Sequence, residues 1–95
     1  MRMFFVTLKE KRAILNSFNN IVEVKDDNNE YSYYLSENNT HKLVAKGFNE
    51  GGEGYIYNNG RSKSNNSSDG WVDVKDFTAN SIRDLLQDTI NSTFH

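Results

Sequence analysis

Hydrophobic and polar side chains alternate along the middle of the chain, from Ile21 to Lys75. Val22 and Val24 flank a glutamate, and many of the aromatic and aliphatic residues that follow recur at every second position. A period of two is typical of β-strands that bury one face, and the polar, asparagine-rich segments between the runs are typical of turns. The pattern predicts strands at 21–24, 31–35, 43–45, 55–57 and 72–75.

The segment before these strands has a helical pattern. Thr7 and Glu10 have the spacing of a capping box, in which each side chain accepts a hydrogen bond from a backbone N–H at the helix start. An apolar stripe at helical spacing is formed by Leu8, Ile14, Leu15 and Phe18. We expect Asn19 and Asn20 to end this helix. Residues 3–6 form a short first strand in this interpretation; in the alternative, the helix starts before Thr7 and that strand is absent.

The clearest helical pattern lies near the C-terminal end. Thr78 is the expected N-cap, because its hydroxyl can accept from a backbone N–H of the first turn. Four apolar residues then share one helical face, at Ile82, Leu85, Leu86 and Ile90. The strands do not alternate with helices, which argues against a parallel sheet. The predicted fold is a single α+β domain: an antiparallel meander of four or five strands with one N-terminal and one C-terminal helix.

Length and composition fit one small domain, since 95 residues leave room for a single core. Residues 58–70 contain no apolar side chain, so we expect a mobile polar loop there. The chain has no cysteine, and its apolar run at 3–6 is shorter than a signal-peptide core or a membrane span. We therefore expect a cytoplasmic protein without a membrane segment. Fourteen asparagines, three alanines and no proline favour an A/T-rich genome, as in low-GC bacteria and their phages.

The charges are nearly balanced, with eleven basic and thirteen acidic residues. Proteins that bind the phosphate backbone usually carry a clear positive excess, so nucleic acid stays a possible partner but a disfavoured one. Four basic residues lie within the first twelve positions, at Arg2, Lys9, Lys11 and Arg12. We interpret them as part of a solvated helix face rather than as a patch that steers a partner.

No group of residues has the spacing of a known catalytic or metal site. The carboxylate clusters do not match a calcium loop; they are Asp26, Asp27 and Glu30 in one turn, and Glu50 and Glu53 in another. His41 is not accompanied by a nucleophile motif. The glycine-rich segment 47–54 resembles a phosphate-binding loop in composition alone, because its two glutamates would repel phosphate. We expect no enzymatic activity, no cofactor and no metal.

Half of the twelve aromatic residues lie between Tyr31 and Tyr57. A period of two places Tyr33 and Leu35 on one face of the sheet and Tyr34 on the other. If the helices cover one face, aromatic side chains remain on the open face, where they can anchor a protein partner. The candidate partner-binding residues are Tyr34, Tyr55, Tyr57 and Trp71.

Three other interpretations of these aromatic residues stay open. The tyrosines can pack against the helices with only their hydroxyls at the rim. They can stack single-stranded nucleic acid with the help of nearby bases, which are Lys42, Lys46, Arg61 and Lys63. A second copy of the chain can also cover the open face or pair with an edge strand, making the protein a homodimer or a larger structural oligomer. The leading hypothesis is a non-catalytic binding protein that engages a protein partner.

Overall fold

The computed structural model describes residues 6–58 and 70–93 of the chain. Within these ranges it contains two helices, α1 (Leu8–Asn16) and α2 (Ala79–Thr93). The strands between them are β1 (Ile21–Lys25), β2 (Tyr31–Glu37), β3 (Thr40–Phe48), β4 (Tyr55–Tyr57) and β5 (Trp71–Asp73). They form one antiparallel sheet in the order β1-β2-β3-β4-β5. The predicted α+β meander is confirmed, and it has five strands.

Two predictions concern segments that lie mostly outside the described residues: the strand at 3–6 and the mobile loop at 58–70. At the two ends of the loop, the Asn58 N–H donates to the Gly70 carbonyl at 2.8 Å. Thr7 has extended backbone angles and directly precedes the first helical residue. The alternative in which the helix starts before Thr7 is therefore wrong.

Both helices begin at the caps that the sequence predicts. Thr7 Oγ1 accepts from the Glu10 N–H, and Glu10 Oε1 accepts from the Thr7 N–H, each at 3.2 Å. At the start of α2, Thr78 Oγ1 accepts from the Ser81 N–H at 3.1 Å. The end of α1 comes earlier than predicted, because Ser17 caps it and donates its hydroxyl to the Ile14 carbonyl at 2.6 Å.

Asparagines in left-handed backbone conformations make the sheet turns. Asn38 and Asn39 have φ angles of 53° and 67° and link β2 to β3. Positive φ at both central residues is what a type I′ hairpin turn requires, and asparagine tolerates it better than most residues. Between β1 and β2, Asp26 Oδ1 accepts from the backbone N–H groups of Asn28 and Glu30. Part of the high asparagine content thus has a structural reason.

The two helices contact each other and pack on one face of the sheet. The core residues from the helices are Ile14, Leu15, Ile82, Leu85 and Leu86, and those from the sheet segment are Tyr33, Leu35, Val44, Ala45, Phe48, Ile56, Val72 and Val74. The predicted apolar faces of both helices are therefore the buried ones. The opposite face of the sheet, which we call the open face, is not covered by either helix.

Strand β3 is irregular at two points. Tyr33 pairs with Ala45 while Tyr34 pairs with Leu43, so Val44 is an extra residue. The bulge lets the consecutive residues Val44 and Ala45 both enter the core. A second register shift follows near Gly47, whose φ of 72° favours glycine. The sequence pattern predicted neither bulge.

Lys11 contradicts the prediction of a solvated basic face, because only 1% of its surface is exposed. Its Nζ donates to the Gly52 carbonyl at 2.6 Å and to the Lys75 carbonyl at 3.5 Å. Burial lowers the pKa of Lys11, against the opposing effect of the Asp73 and Asp76 carboxylates. Through these hydrogen bonds, Lys11 connects α1 to the β3–β4 loop and to the turn after β5.

Candidate functional site

The strand register determines which side chains share the open face, because residues directly opposite each other on neighbouring strands point to the same side. Rows of paired residues cross this face as follows: Val24 with Ser32; Val22 with Tyr34 and Leu43; Lys46 with Tyr55 and Asp73; and Tyr57 with Trp71. All four candidate residues, Tyr34, Tyr55, Tyr57 and Trp71, therefore lie on the open face. Tyr33, one residue before Tyr34, is fully buried under the helices.

Two of the four candidates form one aromatic pair. The rings of Tyr57 and Trp71 meet edge to face, with centroids 5.3 Å apart and an interplanar angle of 75°. Lys46 Nζ lies 4.4 Å from the Trp71 ring centroid, a distance that allows a cation–π interaction. Tyr57 and Trp71 are half-buried, and Lys46 adds a positive charge to this cluster.

Tyr34 and Tyr55 lie apart from that pair, and β3 separates them. Tyr34 lies between Val22 and Leu43 in its row. Tyr55 is 37% exposed, and its ring passes over Gly47, where an added Cβ would lie 3.6 Å from it. The four candidates are thus spread across the face, as in an extended contact surface rather than a cavity.

Val22 and Val24 are the most exposed large hydrophobic residues of the described chain, at 46% and 45%. They lie on the open face next to the predicted residues, although the sequence pattern did not predict them as part of the site. Alternation separates the two sides of a strand, but it does not say which side the helices cover. In β1, Ile21 packs against the core on the helix side, but the two valines lie on the open side.

The helix side of β1 instead carries Glu23, which lies in a closed polar network. Arg12 on α1 donates from Nε and Nη2 to the two Glu23 carboxylate oxygens, both at 2.9 Å. The same carboxylate accepts from Tyr33 Oη at 2.7 Å and from Asn16 Nδ2 at 3.0 Å. The hydrogen bonds from Arg12 are the main reason that the pKa of Glu23 falls to about 2. This network joins α1 to the edge of the sheet.

A basic depression of about 540 Å³ adjoins this network, near the turn between β1 and β2. It is lined by Leu8, Lys9, Arg12, Lys25, Asn29, Tyr31 and Glu50. Arg12 Cζ lies 4.2 Å and Lys25 Nζ 5.9 Å from the centroid of the Tyr31 ring. Within the described ranges, Arg12 forms an ion pair with Glu23, whereas Lys9 and Lys25 form none. The depression therefore has two lysines available to an anionic group.

Side chains in the acidic turn and in the glycine-rich loop have structural roles. Asp26 organises its turn, and Asn49 Oδ1 organises the glycine-rich loop by accepting from the N–H groups of Gly51 and Glu53. His41 is exposed near the start of β3. In residues 6–58 and 70–93, no three His, Asp or Glu side chains converge as a metal site would require.

Neither α1 nor α2 is long and apolar enough to cross a membrane. In three comparisons, no protein-family model, no curated protein sequence and no solved structure is significantly similar to this chain.

Proposed function

We propose that this protein is a non-catalytic binding module that engages a protein partner through the open face of its sheet. The observation that carries the proposal is the strand register, which gathers Tyr34, Tyr55, Tyr57 and Trp71 on the face opposite the helices. Val22 and Val24 add exposed apolar surface to the same face. Large aromatic side chains contribute most to binding when a partner excludes water around them.

The charges around the open face favour a protein partner over nucleic acid. Asp26, Glu30 and Glu53 line the depression beside Tyr55, and Lys46 is the one base among the described residues that line it. Lys42 is paired with Leu35 and therefore lies on the helix side. Three carboxylates next to the most exposed tyrosine would repel a phosphate backbone.

The groups with shifted pKa values support a binding role rather than catalysis. Shifted pKa values often mark active sites, where the group stays available to a substrate. Here the shifted groups among the described residues, Lys11, Arg12, Glu23 and Tyr33, all form internal hydrogen bonds. Their shifts follow from roles in holding the fold together.

The test compares complexes that form in lysate of the source cell. Size-exclusion chromatography with light scattering should show the labelled wild-type protein moving into a larger complex. The open-face variant Tyr34→Ala/Trp71→Ala should stay at its own mass. The matched control Arg83→Ala/Gln87→Ala changes two exposed α2 residues and should behave as wild type.

Stability must be checked in parallel, because Tyr34 and Trp71 are half-buried. Tyr55→Thr is a second variant that removes an exposed ring and keeps a good strand former. Circular dichroism melting should show both variants folded. A complex that persists in both folded variants would contradict the proposal, and so would a wild-type protein that only forms a homodimer.

A further inference from the structure

We infer that the partner contributes an extended segment in which apolar and acidic side chains alternate, and that this segment adds to the sheet beside β1. The inference rests on the proposed function and names the class of partner. Three observations support it, each made within residues 6–58 and 70–93: a strand edge without a hydrogen-bonded neighbour, exposed valines on one side of that edge, and lysines without an ion pair on the other.

Strand β1 is an edge strand, and its outward backbone groups can be identified. The Ser36 N–H donates to the Asn20 carbonyl at 2.7 Å, and the Asp26 N–H donates to the Glu30 carbonyl at 2.9 Å. Hydrogen-bonded pairs alternate along an antiparallel ladder, so the groups of Ile21, Glu23 and Lys25 point away from β2. Across the described residues, no hydrogen bond to them from another element is present. These outward N–H and C=O groups are a template for one further strand.

The two sides of this edge differ in chemistry. On the open face, Val22 and Val24 are exposed at the edge. On the helix side, Lys25, Lys9 and Arg12 line the depression together with Tyr31, and Glu50 is the one carboxylate among its described lining residues. The edge is thus apolar on one side and basic on the other.

An added strand must itself alternate to match both sides. Its successive side chains point to opposite faces, so one set would extend the apolar surface over Val22 and Val24. The other set would lie toward Lys25 and Lys9, where carboxylates are complementary. Backbone hydrogen bonds would fix the register of the partner segment along β1, and its alternating side chains would make the binding specific for this edge.

A second copy of β1 fits this edge less well than an acidic segment. Glu23 is the one acidic residue within β1, and Arg12, Asn16 and Tyr33 of its own chain already bind its carboxylate. Self-pairing would therefore bring no available carboxylate to Lys25 and Lys9. A charged residue on the helix side of an edge strand is also a common protection against self-association.

The probe is a labelled peptide of about ten residues in which Val and Glu alternate, enough to pair along the whole of β1. Fluorescence anisotropy at low salt should show binding to the wild-type protein. The control peptides alternate Val with Lys, carry the same Val and Glu in two blocks, or have N-methyl groups on alternate amides. All three should bind at least about tenfold more weakly, since each lacks the charge, the alternation or the edge hydrogen bonds.

Charge reversal on the protein gives the matching test. Lys9→Glu/Lys25→Glu should weaken binding of the Val/Glu peptide by about tenfold or more. Lys42→Glu changes an exposed lysine on another strand and should leave binding unchanged. Equal binding by the double variant, or of the N-methylated peptide, would overturn the inference. A wild-type dimer that the double variant abolishes would overturn it in favour of a second copy.

The two proposals fail in different ways. If the peptide does not bind but the lysate complex forms and depends on Tyr34 and Trp71, the β1 inference is wrong and the open-face proposal stands. If the peptide binds at the edge but no complex depends on those residues, the open-face proposal is wrong. Both variant sets keep the full chain, and circular dichroism must show that each variant is folded before its binding is compared.

Discussion

The hydroxyl of Tyr33 donates a 2.7 Å hydrogen bond to the Glu23 carboxylate, which connects the hydrophobic core to the polar network under β1. The Tyr33 ring is fully buried and meets Phe48 edge to face, with centroids 5.7 Å apart. Burial, followed by the hydrogen bond to Glu23 and the negative charge of that carboxylate, raises the pKa of Tyr33. Core packing and the charged network are therefore coupled through one side chain.

Tyr33→Phe should change the stability of the protein at alkaline pH. The folded pKa of Tyr33 lies above the unfolded value of about 10, so the stability that its neutral form contributes is present below that pH and lost as pH rises above it. Urea unfolding from about pH 8 to 11 should show a steeper loss for wild type than for the variant. Phenolate absorbance should show one tyrosine that ionises only on unfolding. A normal titration of all five tyrosines would contradict this.

Glu23→Gln should change how the free energy of unfolding depends on pH below neutrality. The folded pKa of Glu23, about 2, lies below the usual value of 4.5. Its contribution is therefore fully present above about pH 4.5 and lost as pH falls toward 2. At neutral pH the variant should unfold more easily by about 1–2 kcal/mol.

The difference between wild type and Glu23→Gln should shrink as the pH falls through that range. Urea unfolding at several pH values measures it. A constant difference from pH 7 to about pH 3 would contradict the assignment to ionisation.

Lys11→Met should loosen a loop more than it destabilises the whole fold. Methionine keeps an apolar stem of similar length but removes the donor to the Gly52 carbonyl. Losing that hydrogen bond is offset by no longer burying a charge, so the free energy of unfolding should change by less than about 1 kcal/mol. Hydrogen exchange at 50–53 should become faster. Lys9→Met, at an exposed position on the same helix, should leave that exchange unchanged.

Gly54→Ala should be destabilising because Gly54 lies against a buried ring. An added Cβ would come within 2.5 Å of Phe48 ring carbons, and Phe48 has no exposed surface. The overpacking should lower the free energy of unfolding by about 1–3 kcal/mol, measured by urea unfolding. Phe48→Leu should cost less in the Gly54→Ala background than in wild type, because the smaller side chain makes room. If the effects of Gly54→Ala and Phe48→Leu on the free energy of unfolding were strictly additive, a clash between the added Cβ and the Phe48 ring would be contradicted.

Local sequence signals predicted most of the secondary structure. The caps at Thr7 and Thr78, the asparagine turns and the helical spacing of Ile82 to Ile90 each depend on neighbouring residues in the chain. The same is true of the face assignment of Tyr34 relative to Tyr33, because successive strand residues point to opposite sides. These features were accordingly correct in the structure.

The features that the sequence did not predict depend on distant partners. Lys11 is buried because carbonyl groups 41 and 64 positions away accept from it. Glu23 faces the helices because Arg12 and Asn16 of α1 bind it there, which leaves Val22 and Val24 on the open face. The bulge at Val44 is likewise a property of the β2–β3 pairing. No local pattern encodes these contacts.

The order of the strands also bears on how the domain forms during synthesis. Each strand is paired with the one before it, so successive hairpins can close at low entropic cost as the chain leaves the ribosome. The helices flank the sheet at opposite ends of the described chain, yet they contact each other. A nascent sheet therefore keeps part of its apolar side in water until α2 has been translated, and that interval is when it most needs protection from aggregation.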